Sequence, residues 1–122
     1  MKADKKFVID YAKEYFGTEP EYLWEKTPDA GVLRHSENKK WYGLIMNIPI
    51  SKLGIKDSRN VDILNVKCDP QLLGSFLMKK GCFPAYHMNK KHWLTVLIDG
   101  SLPQEDIIML INQSYDLTSS IK

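Results

Sequence analysis

The sequence predicts an α+β fold, an antiparallel sheet of about five to six strands flanked by helices. Three stretches have apolar residues at helical spacing, one near each end of the chain and one in its middle. Between them lie short apolar stretches joined by turns of a few residues, and such short connections make neighbouring strands antiparallel. The length of 122 residues suits one domain, which we place over residues 1–122.

Clear end signals define the first and last predicted helices. Asp4 can cap the first helix, and Gly17 is a natural stop for it. The last helix is predicted to start at a capping box formed by Ser101 and Gln104, and to run to about Leu117. We therefore expect helical structure at both ends of the chain.

The middle helix is predicted from its cap and a proline at its first position. Asp69 precedes Pro70, and Gly81 marks the end, with Lys79 and Lys80 in the last turn, where they complement the helix dipole. The predicted buried stripe consists of Leu72, Leu73, Phe76 and Leu77.

Six stretches are predicted as strands from their apolar content and the turns that bound them. They span residues 21–26, 32–36, 41–48, 61–68, 82–88 and 92–98. Both faces of the 41–48 stretch are apolar, which indicates a central strand. Pro84 places the 82–88 stretch at an edge of the sheet, because proline cannot donate a ladder hydrogen bond.

The composition excludes several classes of protein. A hydrophobic content of 43% and a charged content of 26% are typical of globular proteins. No apolar stretch is long enough to span a membrane, and the first residues lack the apolar core of a signal peptide, so we expect a cytoplasmic protein. Cys68 and Cys82 do not have Cys-x-x-Cys spacing and are predicted to be free, buried thiols.

The charge is unevenly distributed along the chain. Residues 70–98 hold four of the 17 basic residues and none of the 15 acidic ones. The formal net charge of +2 is therefore the sum of a basic segment at residues 70–98 and a mildly acidic remainder of the chain. A basic segment of this kind favours an anionic partner.

The stretch from Pro84 to Trp93 lies within this segment and carries rings, an amide and two lysines. Lysines neutralise phosphates, aromatic rings stack on bases, and an asparagine can read the edge of adenine. We expect the lysines to contact phosphate and the other side chains to touch bases or sugars. The candidate DNA-binding residues here are Tyr86, His87, Asn89, Lys90, Lys91 and His92.

A second basic turn is predicted between the strands at 32–36 and 41–48. It carries Arg34, Lys39 and Lys40, which we expect to contact phosphate, and a tryptophan follows directly. Two basic hairpin tips could grip DNA as a pair of wings, provided that the fold brings them together. The predicted partner is DNA, bound weakly and largely without sequence preference.

Other interpretations remain open. Lysines in turns are most often simply solvated. The stretch at residues 86–93 could instead cover a pocket, with histidines and Asn89 pointing inward to orient a small ligand, or it could bind another protein. The sequence leaves the oligomeric state open.

Metal, cofactor and catalytic sites are not predicted. His87 and His92 lie five residues apart rather than four, and His35 is remote from both. There is no Gly-x-Ser-x-Gly sequence to activate a serine and no glycine-rich loop to hold a phosphate. We expect a binding protein without enzymatic activity.

Several motifs together carry a family resemblance. They are Glu19-Pro20-Glu21 with Trp24, and the stretches at residues 41–46, 65–70, 84–93 and 114–117. On these motifs, from Tyr11 to Leu117, the chain resembles the MmcQ/YjbR family of small bacterial proteins. The resemblance implies a CyaY-like (frataxin-like) fold and DNA binding through a double-wing arrangement, and it transfers no catalytic residue.

Overall fold

A five-stranded antiparallel sheet and three α-helices form the part of the chain that the structure describes. This structure is a computed structural model that describes residues 3–119; the two ends of the predicted domain, residues 1–2 and 120–122, lie outside it. The elements are α1 (Lys5–Phe16), β1 (Gly31–Arg34), β2 (Trp41–Pro49), a 3₁₀-helix (Ile50–Leu53), β3 (Asn60–Lys67), α2 (Pro70–Leu77), β4 (Cys82–Pro84), β5 (Trp93–Leu97) and α3 (Gln104–Thr118). The strand order is β1-β2-β3-β5-β4, with every pair antiparallel. The predicted α+β class is confirmed.

The sheet has two faces with different covers. On the helix face, Val8 and Ala12 of α1 and Ile111 of α3 share one core with Leu64 and Val96 of the sheet. On the opposite face, which we call the loop face, a second cluster is formed without any α-helix. It consists of Ile48, Ile50, Val61, Ile63 and Leu97, with Phe83 and Tyr86 packed beside it. Short segments therefore cover the loop face.

The local end signals of α1 and α2 are confirmed. Asp4 Oδ1 accepts a hydrogen bond of 2.9 Å from the backbone N–H of Phe7, and Gly17 ends α1 with a φ of 65°. Asp69 Oδ1 accepts one of 2.9 Å from the N–H of Gln71 at the start of α2. These signals depend on residues within one turn of each other, so the sequence alone specifies them.

The predicted strands at residues 21–26 and beyond Pro84 are wrong. Only Glu21 pairs, through a single bridge to Val32, and the aromatic residues after it leave the sheet. β4 ends at Pro84, since the N–H of Tyr86 donates to Thr95 Oγ1 instead of to a neighbouring strand. Side-chain partners distant in sequence thus redirect the backbone in this second case.

The second helix is shorter than predicted. It ends at Leu77, so the predicted dipole-complementing lysines lie beyond its last turn, where Lys79 pairs with Asp106 at 3.7 Å. Phe76 is its buried residue, whereas Leu72 remains 44% exposed. An eight-residue helix lying against β4 can bury only a narrow stripe.

The predicted capping box before α3 is also wrong. Ser101 Oγ donates to Asp99 Oδ1 at 2.6 Å, and Pro103 occupies the cap position without a side-chain hydrogen bond. Glu105 and Asp106 in the first turn complement the helix dipole instead. α3 therefore begins at Gln104, two residues later than a capping box at Ser101 requires.

Both cysteines are free and buried, as predicted. Burial raises the pKa of the Cys82 thiol to about 11 and also raises the pKa of Cys68. Because the thiolate is the reactive form, neither side chain is an activated nucleophile at neutral pH.

His35 joins the β1–β2 hairpin to the end of α3. It is buried, its Nε2 lies 2.8 Å from Thr118 Oγ1, and its ring packs on Tyr115 with centroids 4.1 Å apart. Burial lowers the pKa of His35, so the unfolded chain binds a proton more readily than the folded one.

We expect His35 to make the protein less stable in mild acid. The stability that its neutral form contributes is present above the unfolded pKa of about 6.5 and is lost as the pH falls below it. Urea unfolding at neutral pH and in mild acid should show a larger loss for wild type than for His35→Gln. The exposed His92→Gln variant is the control and should keep the wild-type pH dependence; equal losses for wild type and His35→Gln would contradict this expectation.

Candidate nucleic-acid interface

The two predicted basic tips lie at the same end of the sheet. Residues 36–40 join β1 to β2, and residues 85–92 lead into β5. Gly43 near the start of β2 pairs with Val66 near the end of β3, and Lys67 pairs with Trp93 at the start of β5. Since neighbouring strands lie about 4.8 Å apart, β2 and β5 are separated by about 10 Å. We call this end, with Lys39, Lys40, Lys67, Lys90 and Lys91, the basic end.

The lysines of the basic end are not paired with carboxylates in the part of the chain that the structure describes. Lys39, Lys40 and Lys91 are exposed, and within residues 3–119 no lysine of the basic end lies in an ion pair. Lys90 Nζ donates a hydrogen bond of 2.9 Å to the backbone oxygen of Ala85, which folds this side chain back along its own segment. The exposed ammonium groups therefore face solvent at one end of the sheet.

Arg34 differs from the lysines because it already has a partner. Its Nε and Nη2 donate to the two carboxylate oxygens of Glu21, both at 2.7 Å. This bidentate pair holds the pKa of the Glu21 carboxyl below its ordinary value, and Lys39 acts in the same direction. The expected contact of Arg34 with phosphate would require this pair to open.

Two buried polar side chains hold the segment at residues 85–92 against the sheet. Asn65 and Thr95 are fully buried on neighbouring strands of the loop face. Asn65 Nδ2 donates to the backbone oxygen of Tyr86 at 3.1 Å, Thr95 Oγ1 accepts from its N–H at 2.8 Å, and the Thr95 hydroxyl donates to Asn65 Oδ1. Sequence analysis missed both residues, although a polar residue inside an apolar strand is the signal that could have found them.

The polar side chains of the segment have different surroundings. Asn89 Oδ1 accepts from the N–H of Lys91 at 2.8 Å, and its backbone oxygen accepts from Trp93, which closes a turn. His87 has a φ of 59°, rare for a residue with a side chain, and its ring lies against Tyr86 with centroids 4.0 Å apart. His92, like His87 and Asn89, is exposed.

A groove of about 310 Å³ opens on the loop face beside the basic end. Trp24 and Trp41 meet edge to face in it, with centroids 5.8 Å apart. We call it the tryptophan groove; it is lined by Trp24, Thr27, Ala30, Trp41, Leu44, Met46, His87 and Met88. Its residues come from three separated parts of the chain, so local sequence patterns do not reveal it.

The small-ligand interpretation required His87 and Asn89 to line one cavity. His87 lines the tryptophan groove, but Asn89 is exposed and does not line it. Within residues 3–119, no three His, Cys, Asp or Glu side chains are grouped to hold a metal ion. No helix in the described part of the chain is long and apolar enough to cross a membrane.

Comparison with known proteins decides the family. The family model YjbR matches residues 13–117. This chain belongs to the YjbR family. The resemblance predicted from the motifs is therefore confirmed, whereas the CyaY likeness stays a prediction.

Several known proteins share the sequence or the fold of this chain. The uncharacterised protein YyaQ of Bacillus subtilis (strain 168) is 43% identical over 111 residues, which cover 91% of this chain and 94% of YyaQ. A Pseudomonas syringae protein of known crystal structure is 47% identical with a TM-score of 0.93, over 95% of this chain and 99% of that one. A Deinococcus radiodurans protein, 22% identical with a TM-score of 0.73 over 98% of this chain and 81% of that one, shares the fold.

Proposed function

We propose that this YjbR-family protein binds DNA through its basic end, weakly and with little sequence preference. The observation that carries the proposal is the strand register. It brings Lys39 and Lys40 to the same end of the sheet as Lys90 and Lys91. Exposed lysines attract backbone phosphates and release the counterions condensed on them, whatever the base sequence. A formal net charge of only +2 makes the expected affinity modest.

The proposal is one of binding without catalysis. The polar side chains at the basic end are mainly those of lysines, histidines and Asn89, and the Asn89 side chain is already used to close a turn. Both thiols are buried with raised pKa values, so they offer no nucleophile to a bound strand. Binding to DNA is also consistent with the cytoplasmic location that the sequence predicts.

The experiment that tests the proposal is a titration of random duplex and single-stranded DNA across a salt series. We expect the logarithm of the binding constant to fall linearly with the logarithm of the salt concentration. Fluorescence anisotropy of labelled strands measures this binding constant directly. If neither form binds even at low salt, the proposal is wrong.

Glu21→Gln should strengthen DNA binding by releasing Arg34. The freed guanidinium can pair with a phosphate, so the salt dependence on a duplex should steepen by about 0.9. Glu25→Gln removes an equal charge from the same exposed segment and is the matched control, since no ion pair in residues 3–119 involves Glu25. Equal effects of the two substitutions would show that net charge alone matters and that Arg34 makes no contact.

A further inference from the structure

The tryptophan groove adjoins the basic end. Trp41 begins β2 directly after the exposed Lys40, and His87 and Met88 precede Lys90 and Lys91 in one segment. A chain that runs across the lysines would therefore pass the mouth of the groove. The position of the groove beside the lysines determines which kind of ligand suits the groove.

We propose that the tryptophan groove takes an unstacked base of single-stranded DNA, while neighbouring phosphates contact the lysines of the basic end. The inference rests on the DNA binding proposed above and deepens it, because it makes single strands the preferred form. Bases within a duplex are stacked and paired, and turning one of them into a groove costs unstacking and unpairing free energy that a single strand does not require.

The lining of the groove suits a flat, uncharged ring. Tryptophan and histidine rings and methionine side chains offer the stacking and apolar surface on which bases pack, whatever their sequence. Its volume of about 310 Å³ lies at the lower end of the range for small-molecule sites. None of the described lining residues is acidic, so nothing in the lining repels an adjacent phosphate.

The groove wall at His87 is held in place before any ligand binds. Residues with a side chain adopt a positive φ only where their surroundings enforce it. Here the enforcing contacts are the hydrogen bonds of Tyr86 to Asn65 and Thr95, directly before His87. A wall fixed in this way loses little conformational freedom when a base stacks on it.

Charge complementarity distinguishes this occupant from an apolar protein segment. A partner helix or strand would need only the apolar lining, and the exposed lysines beside the groove would add nothing to its affinity. A nucleotide uses both, since its base is flat and its phosphate anionic. The two occupants therefore predict different results for the same substitutions.

The test compares Trp24→Ala with Leu23→Ala. Trp24 lines the groove and is 39% exposed, whereas the neighbouring Leu23 is 49% exposed and does not line it. The probes are an oligothymidylate of about ten nucleotides, an abasic strand with the same number of phosphates, and a duplex of that length. Anisotropy gives the affinities, and quenching of tryptophan fluorescence reports stacking.

We expect Trp24→Ala to weaken oligothymidylate binding at least about fivefold, without changing its salt dependence or the affinity for the duplex. Leu23→Ala should bind like wild type, Trp24→Phe should recover most of the lost affinity, and the abasic strand should bind wild type as weakly as Trp24→Ala binds oligothymidylate. Binding that depends on the lysines but is equal for abasic and base-bearing strands would overturn the groove proposal alone. No lysine-dependent binding to any strand would overturn the DNA-binding proposal as well.

Discussion

Replacing Lys39, Lys40, Lys90 and Lys91 with glutamine should flatten the salt dependence of duplex binding by about 3 to 4. Each lysine that neutralises one phosphate contributes about 0.9 to the slope of log binding constant against log salt. The pair Lys90 and Lys91 alone should account for about 2 of this change. The side chains concerned are exposed, so each substitution should alter stability by no more than about 0.5 kcal/mol.

A matched pair of lysines serves as the control. β2 runs from the basic end to Pro49 at the opposite end of the sheet, where the loop that leads into β3 carries Lys56 and the turn before β4 carries Lys80. Both are exposed. Glutamine at these two positions removes the same charge as the Lys90 and Lys91 pair. If the two pairs flatten the salt dependence equally, binding reflects overall charge and the basic end is not the interface.

Asn65→Leu should reduce the free energy of unfolding by about 2 to 4 kcal/mol, although leucine has a similar size and suits an apolar strand. The substitution leaves the backbone oxygen of Tyr86 without its donor and the Thr95 hydroxyl without its acceptor. Each buried polar group left unsatisfied costs about 1 to 3 kcal/mol. The segment at residues 85–92 should loosen first.

Urea unfolding measures the loss, and hydrogen exchange at the Tyr86 amide locates it. Asn47→Leu is the control, because Asn47 Nδ2 donates to Asp62 at 2.9 Å in an exposed pair on β2 and β3 and should change stability little. Adding Thr95→Val to Asn65→Leu should recover none of the loss, because Thr95 Oγ1 is also the acceptor of the Tyr86 N–H, which valine leaves without a partner. An Asn65→Leu protein as stable as Asn47→Leu would refute a stabilising role for this network.

Features set by neighbours in sequence were predictable. Asp4, Gly17 and Asp69 determine helix ends through contacts within a turn, and all three behave as the sequence indicates. The errors arise where a competing contact is not visible in the local pattern. Ser101 bonds to Asp99 and lies two residues before the cap position of α3, and Thr95 on the neighbouring strand β5 takes the Tyr86 amide that a longer β4 needed.

The candidate site was predictable only in part. The lysines were visible as a local charge pattern, and the hairpin turns placed them at strand ends. The pairing of Arg34 with Glu21 and the meeting of Trp24 with Trp41 depend instead on strand register, including the irregularity between Leu33 and Arg34. Strand register is a property of the assembled sheet, and local sequence patterns do not predict it.

Both outer strands resist assembly of the sheet with a second copy. On β1, Glu21 accepts from and donates to Val32 with bonds of 2.9 Å each, which occupies hydrogen-bonding groups that an incoming chain would need. On the far side, β4 has only three residues and finishes at Pro84, which has no N–H to offer. Short or occupied borders of this kind offer the folded protein's neighbours little template for adding a strand.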